Sequence, residues 1–150
     1  MDLFNYSRRQ ATEVNIGATP MGGTNPIRIQ SMTNTVTMDT EACIEQAKRI
    51  SEAGGEYVRL TTQGVREAEN LMNINIGLRS QDNTTPLVAD VHFSSEIAIA
   101  AAAVVEKVRI NPGNFHKDHE KAREQFARLV EVCKEHGTAI RIGLNHGSLG

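Results

Sequence analysis

One short pattern recurs along this chain at a spacing that leaves few folds open. Val58-Arg59-Leu60-Thr61, Val108-Arg109-Ile110-Asn111 and Ile140-Arg141-Ile142-Gly143 each read apolar, arginine, apolar, then polar or small, and Ile27-Arg28-Ile29-Gln30 has the same form. Such runs are rich in β-branched residues and suit buried strands. The run Leu87-Val88-Ala89-Asp90-Val91-His92 reads as a further strand. Strands are therefore expected over 26–32, 57–61, 87–92, 107–110 and 139–143. Helical patterns separate them. Cys43, Ala47, Ile50 and Ala53 mark one helix, capped by Asp39 or Thr40 and ended by Gly54-Gly55. Val65, Ala68, Met72 and Ile76 mark the face of a second, with Leu71 beside it. Ser94 or Ser95 caps a short alanine-rich third helix running to Val105. The fourth, over 117–136, carries Ala122, Phe126, Leu129, Val130 and Cys133 as its apolar stripe and stops at Gly137.

Strands alternating with helices predict an α/β fold with a parallel sheet and helical crossovers. A repeat of about thirty residues is the pace of a (β/α)8 barrel of roughly 250 residues. An open doubly wound sheet fits the same alternation, although no Gly-x-Gly-x-x-Gly follows a strand to favour a dinucleotide fold. About five βα units are visible, the last without its helix, so a barrel would be a partial one. A short hairpin is expected before them, with Glu13-Val14-Asn15-Ile16-Gly17 turned back by 18–23. Residues 1–12 read as a flexible arm, and 13–150 as the N-terminal portion of the barrel domain.

The strand ends carry the chemistry. Side chains two apart on a strand share a face, so Arg109 and Asn111 are presented together, as are Asp90 and His92. Ligands of both kinds of α/β fold bind at the C-terminal ends of strands. Arginine suits phosphate because its planar fork donates paired, charge-assisted hydrogen bonds. Arg59, Arg109 and Arg141 in one frame therefore point to a phosphate or diphosphate ligand, unless they pair internally with Asp90 or Glu106 or lie on the helix-facing side. Asp90 and His92 suit acid–base work, a ligand hydroxyl, or the holding of the arginines. Asn145, in the loop after the last strand, is a candidate anion donor. Asn-Pro-Gly at 111–113 and Gly22-Gly23 read as turn chemistry.

Other classes are disfavoured. A net charge of −2 and the absence of tryptophan argue against a nucleic-acid binder. No apolar window approaches the ~20 residues of a membrane span, and no secretory signal is visible. Cys43 and Cys133 read as buried, reduced thiols of a cytoplasmic protein and form no metal site.

Four ordered stretches, over 26–35, 86–93, 107–114 and 140–149, together resemble the 4-hydroxy-3-methylbut-2-enyl diphosphate synthases of the non-mevalonate isoprenoid pathway. The resemblance runs from about Thr12 to the end. Tyr57-Val58-Arg59-Leu60-Thr61-Thr62-Gln63-Gly64 and Asn145-His146-Gly147-Ser148-Leu149 are similar to the large form of that enzyme, which carries an inserted domain. The resemblance implies a TIM barrel followed by a domain bearing a [4Fe–4S] cluster. It also implies an iron–sulfur oxidoreductase that opens 2-C-methyl-D-erythritol 2,4-cyclodiphosphate with two electrons, supplied by flavodoxin or ferredoxin. Carried over by motif, Arg59, Arg109 and Arg141 match diphosphate-contacting positions, and Asp90, His92, Asn111 and Asn145 match polar positions at the barrel mouth. No residue of this span is assigned to catalysis, and the cluster ligands match nothing here, so the iron–sulfur domain is expected to be absent from this chain. The segment after Asn114 is shorter than the large form leads one to expect. The chain alone is expected to be inactive and, with both sheet edges open, to form a homo-oligomer. Two other readings stand beside this one: another phosphate-binding barrel enzyme, similar to pterin-dependent synthases, and a non-catalytic interaction module.

Overall fold

The computed structural model describes residues 9–148. Residues 1–8, the larger part of the expected arm, lie outside them. Five strands, β1 (Gln30–Met32), β2 (Tyr57–Thr62), β3 (Leu87–Val91), β4 (Lys107–Ile110) and β5 (Ala139–Ile142), alternate with four helices, α1 (Thr40–Glu52), α2 (Val65–Arg79), α3 (Ser95–Ala102) and α4 (His119–His136). All strand pairs are parallel, in the order β1-β2-β3-β4-β5. Each new strand joins the same growing edge, which is how a barrel is laid down; a doubly wound sheet reverses at its switch point. The fold is thus a partial (β/α)8 barrel, preceded by a minimal hairpin in which Val14 and Met21 exchange both backbone hydrogen bonds, at 2.8 and 2.9 Å. Gly22 makes this hairpin possible. Its φ is +83°, and a Cβ there would lie 2.2 Å from the Thr12 carbonyl oxygen.

Alternation along the strands gives the sheet two faces. On one, Val58, Leu60, Leu87, Ala89, Val108 and Ile110 pack against the helices, meeting Cys43, Ala47, Leu71, Ile74, Leu78 and Leu129. On the other, the barrel-interior face, Tyr57, Val88 and Ala139 form a smaller apolar layer, with Ile16 and Met21 of the hairpin packed on it.

Besides α3, which stops at Ala102 rather than running to Val105, three expectations need correction. First, the strand expected from residue 26 starts only at Gln30. Arg28 is drawn off by Glu56, which accepts from its Nη1 at 2.6 Å and from the Ile29 N–H at 2.8 Å. A carboxylate does there what a neighbouring strand would do, so Arg28 lies ahead of β1. Second, α2 turns a different side inward. Leu71, Ile74 and Leu78 are fully buried, whereas Met72 and Ile76 are 49 % and 60 % exposed. The helix is apolar on two sides, and periodicity cannot choose between them. Its asparagine-rich later half holds because Asn75 donates to the Val104 carbonyl at 2.8 Å, and because Gly77 leaves room for Ile44 of α1. Third, α4 begins two residues later than its pattern suggested, because Asp118 caps it, accepting from the Glu120 and Lys121 N–H groups. Its end at Gly137, in the left-handed conformation, is as expected.

Candidate anion-binding site

The parallel register sets the arginine-bearing strands side by side. Asp90 of β3 lies opposite Arg109 of β4, and Arg109 opposite Arg141 of β5. Asp90 is the hub and is 2 % exposed. Its Oδ2 accepts from Arg59 Nη2 at 2.6 Å and lies 3.0 Å from His92 Nε2; its Oδ1 accepts from Arg109 Nη1 at 3.3 Å. Arg109 Nη1 is also 3.1 Å from both ring nitrogens of His92, and Arg109 Nη2 donates to the Gly143 carbonyl at 3.1 Å.

One carboxylate therefore serves two arginines and a histidine, and the internal pairing weighed from the sequence holds for Arg59 and Arg109. It does not reach Arg141, whose exposed side chain has no ion pair or hydrogen bond among the described residues. Glu106, the other proposed partner, is engaged elsewhere, accepting from Arg79 Nη2 at 2.7 Å and from the Leu87 N–H at 2.8 Å. Several donors are left over. Arg59 Nε, Arg109 Nε and Asn111 Nδ2 are buried with no acceptor. Asn111, 1 % exposed, uses only its Oδ1, which accepts from the Gly113 N–H at 3.2 Å and closes the turn after β4. Asn145 is exposed in the loop beyond β5. The structure thus brings Arg59, Asp90, His92 and Arg109 into direct contact, sets Asn111 just past the end of β4 and Arg141 on the adjoining strand, and leaves Asn145 on the following loop.

Lys107 was overlooked at the sequence level, although the two-residue rule that pairs Arg109 with Asn111 also pairs it with Lys107. Its ammonium is buried over the Tyr57 ring, 5.3 Å from the centroid, and 3.9 Å from Met21 Sδ. Burial, then the charges of Arg141 and Arg59, push its pKa below the ordinary lysine value. It lines a cavity of about 470 Å³ with Tyr57, Arg28 and Arg141. A larger cavity of about 600 Å³ lies beyond His92, lined by Phe93, Ser95, Phe115 and Lys117, and none of the arginines borders it.

The described residues do not fit an iron–sulfur cluster. Such a cluster needs thiolates, yet Cys43 on α1 and Cys133 on α4 are both buried, and burial raises both thiols, that of Cys133 to about 11. Among the described residues no group of three or more His, Cys, Asp and Glu side chains is placed to hold a metal.

Sheet order and cationic strand ends together define a barrel-type α/β domain with its polar groups gathered at the C-terminal ends of the strands. The chain belongs to the GcpE TIM-barrel domain family, whose model matches residues 11–150. Among its relatives are proteins named 4-hydroxy-3-methylbut-2-en-1-yl diphosphate synthase (flavodoxin). That of Phocaeicola vulgatus is 67 % identical over 166 aligned positions, covering 99 % of this chain and 27 % of the relative. That of Akkermansia muciniphila is 46 % identical, covering 97 % and 28 %. That of Chlorobaculum tepidum is 44 % identical, covering 98 % and 22 %. The chain thus spans about a quarter of the length of the curated relatives it matches.

Proposed function

We propose that this chain is the part of a 4-hydroxy-3-methylbut-2-enyl diphosphate synthase that holds its cyclic diphosphate substrate. The observation that carries the reading is the imbalance on the barrel-interior face, where Arg59, Lys107, Arg109 and Arg141 face the single carboxylate Asp90. Buried donors without acceptors add to it, since such groups are costly unless something receives their hydrogen bonds. A diphosphate supplies both the negative charge and the acceptor oxygens. Arg59, Arg109 and Arg141 contact its phosphates, and Asn111 and Asn145 donate to its oxygens. Asp90 and His92 hold the arginines and meet the sugar-derived hydroxyls.

The reaction is the two-electron reductive opening of 2-C-methyl-D-erythritol 2,4-cyclodiphosphate in isoprenoid synthesis. The [4Fe–4S] chemistry belongs to a part of the enzyme with thiolate ligands, and the residues of this span bind and orient the substrate. The relatives' names support flavodoxin as the electron donor. A cytoplasmic setting agrees with the lack, among the described residues, of a helix long and apolar enough to cross a membrane. Self-association is part of the same proposal, supported by the exposure of Ile29, just ahead of β1, and of Ile142 in β5; light scattering that shows a monomer at high concentration refutes it.

Calorimetric titration with the cyclic diphosphate and with pyrophosphate tests the binding reading. A charge-assisted hydrogen bond contributes about 1.5–3 kcal/mol, so Arg109→Ala and Arg141→Ala should each weaken binding by roughly 10- to 100-fold. Unchanged affinity in both variants refutes it.

A further inference from the structure

We propose that Gly143 is a positioning residue that seats the Arg109 guanidinium, an inference that rests on the reading of Arg109 as an anion ligand. Gly143 follows the last residue of β5 and is buried. Its N–H donates to the Ile110 carbonyl at 2.9 Å, and its own carbonyl accepts from Arg109 Nη2 at 3.1 Å. A Cβ at this position would lie 2.5 Å from Arg109 Nε, 3.2 Å from Nη2 and 3.3 Å from Cζ. Three guanidinium atoms thus occupy the space that any other residue's side chain would begin to fill.

Backbone conformation supplies no competing reason for glycine here. The glycines with positive φ are 17, 22, 23, 54 and 137, and Gly143 is not among them. Nor can the arginine step aside at little cost. Its Nη1 is fixed between Asp90 and His92, and the residue is 5 % exposed. Sub-3 Å approach to a buried group held on two sides must be relieved by moving that group, because packed interiors have no slack. A methyl at 143 therefore pushes the guanidinium off the Gly143 carbonyl and off Asp90. The absent side chain at the end of β5 is what lets an arginine from β4 lie against the backbone of its neighbour, two residues beyond Arg141, its register partner.

The test uses the full chain as Gly143→Ala, Arg109→Ala and the double variant, with inorganic pyrophosphate as the probe in calorimetry. The His92 ring resonances are followed by NMR and folding by circular dichroism. Gly143→Ala should weaken pyrophosphate binding at least tenfold and shift the His92 ring signals, because the guanidinium beside that ring has moved. In the Arg109→Ala background the same substitution should add no further loss. If Arg109→Ala weakens binding and Gly143→Ala leaves binding and the His92 signals unchanged, the positioning role is overturned while the anion site stands. If Arg109→Ala itself binds as wild type, the anion reading falls, and the His92 signals of Gly143→Ala alone decide whether the seat exists. Should Gly143→Ala fail to fold, recovery of folding in the double variant supports the steric conflict with Arg109; failure of both overturns it.

Discussion

Replacing Asp90 by asparagine removes one charge and almost no volume, and it exposes how much the site depends on a single carboxylate. Two guanidinium groups lose their counter-charge at once, one at 2.6 Å and one at 3.3 Å. At an effective dielectric of 20, unit charges about 4 Å apart attract by about 4 kcal/mol. Against that stands the desolvation already incurred on folding, which the variant does not recover for the arginines. Removing one partner of a buried ion pair typically costs 3–5 kcal/mol. Because Arg59 is partly exposed and water can solvate it in the variant, a total of about 3–5 kcal/mol is expected rather than twice that. Urea denaturation with a slope near 2 kcal/mol/M would then show the midpoint falling by roughly 1.5–2.5 M. Pyrophosphate should restore part of the loss, since a bound anion replaces the missing charge. A loss below about 1 kcal/mol, the range of an exposed pair, refutes the description of Asp90 as the buried hub.

Lys107→Met should stabilise the fold at neutral pH by roughly 1–3 kcal/mol, because it removes a buried charge that lacks a carboxylate partner. The folded pKa of Lys107 is below the unfolded value of 10.5, so between the two the unfolded chain binds more protons, and this group's contribution to stability rises with pH. Denaturation across that alkaline window should show the rise in wild type and not in the variant; a destabilised Lys107→Met refutes the assignment. Both cysteines should resist alkylation at pH 8 in the folded protein and react readily in urea, since burial raises both thiols; rapid labelling of the native protein contradicts this. Gly137→Ala, at φ +70° with open space around it, should cost about 1 kcal/mol in thermal unfolding through backbone strain alone, and an unchanged Tm argues against that cap.

Strand identity was legible because the chain's strongest regularity, an arginine between two apolar residues, carries both a period of two and a repeat near thirty; strand order was not, since the same alternation fits a doubly wound sheet and only the pairing of each strand with the next decides for the barrel. The pairing of Asp90 with His92 and of Arg109 with Asn111 followed from the same period. What stayed illegible needed a partner far along the chain. Arg28 shares the pattern of the other arginines, yet Glu56, 28 residues on, takes it out of the ladder. The inward side of α2 depends on where Ile44 and Val104 sit, because Leu71, Ile74 and Leu78 are no more apolar than Val65, Met72 and Ile76. The division of labour between Asp90 and Glu106 is likewise tertiary: both are carboxylates near arginines, and only register decides which arginine each meets.

The shared carboxylate bears on how fast and with what heat an anion binds. Each arginine side chain carries about 2 kcal/mol of rotamer entropy. Asp90 and the Gly143 carbonyl have already restricted Arg59 and Arg109 during folding. If the proposed diphosphate binds here, it meets guanidinium groups that stand ready, and its binding is an exchange of partners around two fixed cations rather than a recruitment of mobile ones. Arg141 alone still has freedom to lose. Binding should accordingly show a small entropic penalty and little loop movement, with Arg141 as the one arm that closes on the ligand.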